Sequence, residues 1–152
     1  MTGFFRELFS NGIIICGLLS WLVAQVLKTI IYAAINGRLD WERLFGDGGM
    51  PSGHSATVTA VAISCGMQCG FDSPAFAISG IMAIVVMHDA MGVRLETGKQ
   101  AKVLNELLAV VQSDKLSNQE KLKEFVGHTP FQVFMGFLLG LAISIIFNLL
   151  WR

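Results

Sequence analysis

Four stretches of the chain are almost wholly apolar, and polar residues fall between them in blocks. The first, Gly12 to Ile35, is interrupted only by Ser20, Gln25, Lys28 and Thr29. About 20 apolar residues cover the roughly 30 Å hydrocarbon core of a bilayer, so this stretch predicts a membrane span. A polar loop from Asn36 to His54 follows, rich in glycine at Gly46, Gly48, Gly49 and Gly53. Ser55 to Phe71 predicts a second helix, Asp72-Ser73-Pro74 a tight turn, and Ala75 to Met91 a third helix. Both helices are short for a span, which upright helices with ends inside the headgroup level accommodate. From Gly92 to Gly127 the chain turns polar, but Ala101, Leu104, Leu107, Leu108 and Val111 recur at helical spacing. That predicts an amphipathic helix at the interface. Ser117-Asn118-Gln119-Glu120 is a capping-box pattern opening a short charged helix that Gly127 can end. Thr129 and Pro130 then form an N-cap and first-turn pair, and Phe131 to Trp151 is the fourth span. The expected architecture is all-α. It is an integral membrane bundle of four transmembrane helices, with an interfacial amphipathic segment between the third and fourth, forming one domain over residues 1–152.

Composition sharpens this picture. Of 152 residues 53% are hydrophobic and only 14% charged, against roughly a quarter charged in soluble domains. The formal net charge is zero, so no global basicity points to nucleic acid. Cys16, Cys65 and Cys69 all lie inside apolar blocks. Cys65 and Cys69 are one helical turn apart, yet no zinc-type spacing completes a set, and small apolar helix residues are the plainer reading. The first ten residues are short, mildly amphipathic and run straight into the first span, unlike a cleavable signal peptide.

Counting spans puts both termini and the Asp72 turn on one face, and the loop from Arg38 to His54 with everything from Gly92 to Thr129 on the other. His54, His88 and His128 all fall at helix ends on that second face, with Arg38, Asp89 and Arg94, and Lys28 two turns deeper. Ionisable residues at membrane depth are expensive, and their clustering marks a functional site. Of eleven lysines and arginines only Arg6 and Arg152 lie on the termini face. The positive-inside rule then puts the motif face in the cytoplasm of a multi-pass cell-membrane protein, although a phosphate pocket gathers positive charge for its own reasons.

The sharpest local signal is Gly48-Gly49-Met50-Pro51-Ser52-Gly53-His54-Ser55. Glycines let backbone approach a ligand, and the helix that follows offers unpaired N–H groups and a positive dipole end. A capped glycine turn with an interfacial histidine is the bland alternative. Gly127-His128-Thr129-Pro130 repeats the arrangement before the last helix. Two histidines on one face suit phosphoryl transfer, one attacking phosphorus and the other protonating the departing oxygen. Fixed cations are needed on the equatorial oxygens, and Lys28, Arg38, Arg94 and Lys99 are candidates. Singly, Lys28 could snorkel to the interface and Arg38 could anchor a headgroup.

These residues resemble a known family. Gly49 to Ser55, then Asp89-Ala90-Met91-Gly92-Val93-Arg94 with Gly98-Lys99-Gln100-Ala101 and Leu104-Asn105, then Gly127 to Pro130 with Val133 and Gly136, resemble the divergent branch of the type 2 phosphatidic acid phosphatase superfamily. That branch is also described as acid phosphatase/vanadium-dependent haloperoxidase-related. The resemblance implies a membrane phosphatase with a phosphohistidine intermediate and no metal or other cofactor. By position it implies His128 as nucleophile, His54 as general acid, Ser52 and Gly53 as phosphate cradle, and Lys28 as the first-motif lysine. Three departures stand out. Arg38 lies ten residues after Lys28 and is not followed by proline. The arginine expected six residues before the nucleophile is Leu122, leaving Arg94, Lys121 or Lys123 to replace it. Gln132 stands where the carboxylate partner of the nucleophile belongs, and a glutamine cannot steady a developing imidazolium by charge. Asp89 or Glu124 would have to supply it.

The expected function is therefore hydrolysis of a phosphomonoester or diphosphate, lipid-linked because an interfacial site favours amphiphilic substrates. The alternative is a catalytically weak or inactive binder of phosphate or lipid headgroups, which Gln132 favours. A metal site of His54, His88, His128 and Asp89 is a third option, opposed by His88 and Asp89 pointing apart on one helix. Expected partners are the bilayer and a lipid phosphate. Gly136 and Gly140 form a small-xxx-small face that fits either a homodimer or close helix approach within one chain.

Overall fold

A computed structural model of the protein describes residues 2–38, 48–111, 122 and 127–151. The described residues form six helices and no strand: α1 Thr2–Phe9, α2 Gly12–Asn36, α3 Gly53–Cys69, α4 Pro74–Met91, α5 Val93–Val111 and α6 Pro130–Leu150. The Ser117–Glu120 capping box, Lys121, Lys123 and Glu124 lie outside the described residues.

The short α1 ends at Ser10, and Asn11 restarts the helix by accepting from the N–H groups of Ile13 and Ile14 (3.0 and 3.2 Å). With 25 residues α2 is about 38 Å long. It stops at Gly37, whose φ of 66° closes the left-handed cap. Ser52 opens α3 by capping Ser55, two residues earlier than the apolar pattern suggests. Gly70 (φ 97°) ends it. The predicted turn follows, with the Ser73 hydroxyl donating to the Gly70 carbonyl (2.6 Å) and capping α4 at Phe76.

The centre of the bundle is α3, which packs against α2, α4 and α6. Its buried positions are small: Gly53, Ser55, Ala56, Thr59, Ala60, Ala62, Ser64, Cys65 and Gly66. Small residues let membrane helices approach closely, where dispersion and interhelical hydrogen bonds replace the hydrophobic effect. A Cβ on Gly136 would collide with the Ser52 carbonyl, and one on Gly140 with that of Ala56. The glycine face of α6 therefore serves α3 within the same chain. Polar atoms cross the same interfaces. Ser20 donates to the Ala56 carbonyl (3.0 Å), Asn148 to Ser64 (2.9 Å) and Gln68 to Asn148 (2.7 Å).

Among the described residues three helices are long and apolar enough to cross a membrane: α2, α4 continuing towards Ala109, and α6. At 17 residues α3 falls short of that length. The expected amphipathic segment is helical from Val93, directly after a break at Gly92 (φ −98°, ψ −96°). It buries Gly98 and Ala101 and leaves Leu104, Leu107 and Leu108 exposed. Asn105 on this helix holds the Leu122 backbone through both its amide groups (2.9 and 3.0 Å).

Candidate active site

Three helix ends converge where the sequence motifs fall. At the start of α3, Gly48 and Gly49 take φ values of 79° and 84°, a region only glycine enters freely. Gly49 lies on the stem of Lys28, since a Cβ there would stand 3.2 Å from the lysine Cγ. The Ser52 hydroxyl is fully buried, accepting from the Ser55 N–H (3.3 Å) and hydroxyl (3.0 Å). Its work is thus to cap α3, which aims the first turn, with Gly53 and His54, at the cavity beside it.

The second end is the start of α6. Thr129 and Gln132 complete a reciprocal capping box: the Thr129 N–H donates to Gln132 Oε1 (3.0 Å) and the Gln132 N–H to Thr129 Oγ1 (3.4 Å). The Gln132 carbonyl also accepts from the Ser52 N–H (3.1 Å), tying the two helix starts together. His128, fully buried just before the cap, donates its backbone N–H to the Ala90 carbonyl (3.0 Å) at the end of α4. Gly127 presses on the beginning of α5, where a Cβ would collide with the Leu95 backbone.

This packing brings the His54 and His128 rings together, centroids 5.7 Å apart and planes inclined by 79°. At that separation the rings are in edge-to-face contact, so a phosphorus within reach of both must lie beside the pair and not between them. Both rings line a cavity of about 460 Å³ with Lys28 and Arg94. Lys28 is 5% exposed. Arg94 is steered by Asp89, whose Oδ2 accepts from the arginine Nε at 2.7 Å.

The other expected residues lie elsewhere. Arg38 is exposed beyond the end of α2. Lys99 is exposed on α5 and pairs with Glu96 (2.6 Å). His88 is exposed on the last turn of α4. Among the described residues no three His, Cys, Asp or Glu side chains gather as metal ligands. The sequence reading missed Trp21, Gln25 and Thr57, which also line the cavity. Trp21, Gln25 and Lys28 share one helix face by their spacing, so the lysine's own periodicity was the signal for the first two.

Among the described residues every regular element is a helix, three of them are long and apolar enough to cross a bilayer, and two imidazoles and two cationic side chains share one cavity: this is a membrane protein. The chain belongs to the Divergent PAP2 family, which it matches over residues 9–143. It is 38% identical over 153 aligned residues to the "Uncharacterized membrane protein YuiD" of Bacillus subtilis (strain 168), covering 92% of this chain and 96% of that one. No solved structure matches it.

Proposed function

We propose that the protein is a membrane phosphohydrolase acting on a lipid-linked phosphomonoester or diphosphate. The observation that carries this reading is the His54–His128 pair facing one cavity with Lys28 and Arg94. A ring nitrogen of His128 attacks phosphorus as the bond to the leaving oxygen breaks, and His54 gives that oxygen its proton. Water then breaks the P–N bond, surrendering a proton to the now neutral His54 and releasing phosphate. Lys28 and Arg94 hold the charge on the equatorial oxygens, and the N-terminal turn of α3 adds its dipole. The reading requires no metal ion.

In this account α3 is a fourth crossing. Its roughly 26 Å is short of the hydrocarbon core, but it packs against α2, α4 and α6 instead of standing alone in lipid. The interfacial position of α5 and the cytoplasmic placement of the site belong to the same proposal. Labelling of an Asn118→Cys variant from outside intact cells would reverse that orientation.

The test is phosphate release by protein purified in lipid nanodiscs, from lipid phosphates and an aryl phosphate, with acid-labile phosphate trapped on the chain. His128→Ala should abolish trapping and turnover; release at the parent rate removes the nucleophile assignment. A non-catalytic headgroup binder is favoured by one observation, the commitment of Gln132 Oε1 to the Thr129 N–H. It predicts saturable lipid-phosphate binding with no release.

A further inference from the structure

The first helix, α1, is bare along its length. Every residue from Gly3 to Ser10 is exposed, including Phe4 (65%), Phe5 (54%), Leu8 (39%) and Phe9 (73%). These four are not scattered. At about 100° of turn per residue they fall within an arc of roughly 140°, and Arg6 and Glu7 occupy the opposite side. Three phenylalanines and a leucine gathered on one face and left in water would be a costly surface.

Two observations identify what covers it. The first is the join to α2. Only Ser10 and Asn11 separate the two helices, and both are held. The Ser10 N–H donates to the Arg6 carbonyl (3.0 Å) and the Asn11 N–H to that of Leu8 (3.3 Å), while the Asn11 side chain caps α2. Asn11 itself is extended (φ −74°, ψ 102°), so the helix breaks there and α1 does not continue α2. The second is the level of the join. A Cβ on Gly12 would meet the Trp151 indole after α6 and the Gln68 amide on the last turn of α3. Three helix ends therefore lie at one level, beside a tryptophan of the kind that collects where bilayer meets water. A short helix tied within two residues of that level has lipid as its neighbour.

We propose that α1 is an in-plane membrane anchor in the leaflet opposite the histidine site. Phe4, Phe5, Leu8 and Phe9 sink among the upper acyl carbons, and Arg6 and Glu7 stay among the headgroups, the arrangement by which amphipathic helices lie on a bilayer. The charges of Arg6 and Glu7 cancel, so the attraction comes from the apolar face and not from anionic lipid. The partner is thus the lipid surface itself, zwitterionic or anionic alike. This surface is separate from the cavity of His54 and His128, and its test involves no substrate.

The test places nitroxide labels at single cysteines from position 3 to position 9. It uses the full chain with its three native cysteines changed to alanine, one chain per phosphatidylcholine nanodisc. Collisions with oxygen should dominate at 4, 5, 8 and 9 and collisions with a water-soluble nickel reagent at 3, 6 and 7, the ratio differing by at least about fivefold. Hydroxyl-radical footprinting of the natural chain, which needs no substitution, should find Phe4, Phe5 and Phe9 protected in the same nanodiscs. The double variant Phe5→Asp with Phe9→Asp should lose the protection of Phe4. Raising the salt or adding anionic lipid should change none of this. Equal access to water around the whole helix overturns the anchor. So does protection that requires two chains in one nanodisc, which makes the cover a second copy, or protection found only with anionic lipid.

Discussion

Asp89→Asn separates two roles that the same carboxylate could play. If Asp89 steadies the imidazolium of a nucleophilic histidine, removing its charge should cost about 10⁴ in kcat, the scale seen when a triad carboxylate is neutralised. The structure turns Asp89 to Arg94 instead, at 2.7 Å, with both side chains about 40% exposed. A pair so open to solvent contributes roughly 0.2–1 kcal/mol to folding, so the melting temperature should barely move. Its effect should lie in where the guanidinium points. A hydrogen bond to a charged group is worth about 1.5–3 kcal/mol, which sets the expected loss for Arg94→Ala at roughly 10- to 150-fold in kcat/KM. Asp89→Asn keeps a neutral acceptor of the same shape and should lose about 3- to 10-fold, mostly through KM. The double variant should be no worse than Arg94→Ala alone, because each change breaks the same contact. The assay is initial-rate phosphate release from a lipid phosphate in nanodiscs, with the four proteins run as a cycle. A loss above about 10³ for Asp89→Asn, on the scale of the triad case, or additive losses in the double variant, would refute the positioning role.

Other expectations follow from the same contacts. Gly127→Ala places a Cβ against the Leu95 backbone and should cost about 1–3 kcal/mol by overpacking; with His128 next in the chain, activity in nanodiscs should fall further than the melting temperature implies. Gln132→Glu should keep the capping box and its stability, whereas Gln132→Ala should lose about 1 kcal/mol in chemical denaturation. Because the side chain at 132 faces the Thr129 N–H, neither change should raise turnover tenfold, and a gain of that size from the glutamate would show that it reaches the imidazole. Asn148→Leu removes bonds to Ser64 and Gln68 at the far end of the bundle. It should lower stability by roughly 0.6–1.7 kcal/mol per bond and leave phosphate binding intact, checked by thermal unfolding and titration with a lipid phosphate.

The helices were largely legible because their signals are local, and Thr129, read as an N-cap, serves as one. Asn11, Ser52, Ser73 and Gly37 also close helix ends, by short polar side chains on orphan N–H groups and by a left-handed glycine, but of these the residue pattern had singled out only Ser52, as one of two readings of its turn. The site was legible only in part, because its pairings depend on how helices meet. Residues 89 and 94 on one unbroken helix would point about 140° apart; the break at Gly92 swings Arg94 back onto Asp89, and nothing in the residue pattern gives that angle. Gly127 read as a helix stop, while its observed contact is with α5, beyond reach of any local rule. For Gln132 the Thr-x-x-Gln pattern was present, but comparison with a family carboxylate at that place hid its capping role.

Each histidine stands at a helix start that is bonded to another helix. The Ser52 N–H, two residues before His54, reaches the carbonyl of Gln132, four residues beyond His128, and the His128 N–H reaches the end of α4. The bonds that begin α3 and α6 are therefore the ones that set the distance between the imidazoles. Local fraying at either cap must alter the spacing of the pair before the apolar seam of α3 and α6 gives way. Hydrogen exchange should then find the 52–55 and 128–133 amides opening together, with a free energy below that of the α3–α6 core. Independent opening of the two segments would mean that the imidazole spacing is held by the cavity's side chains and not by the backbone bonds beneath them.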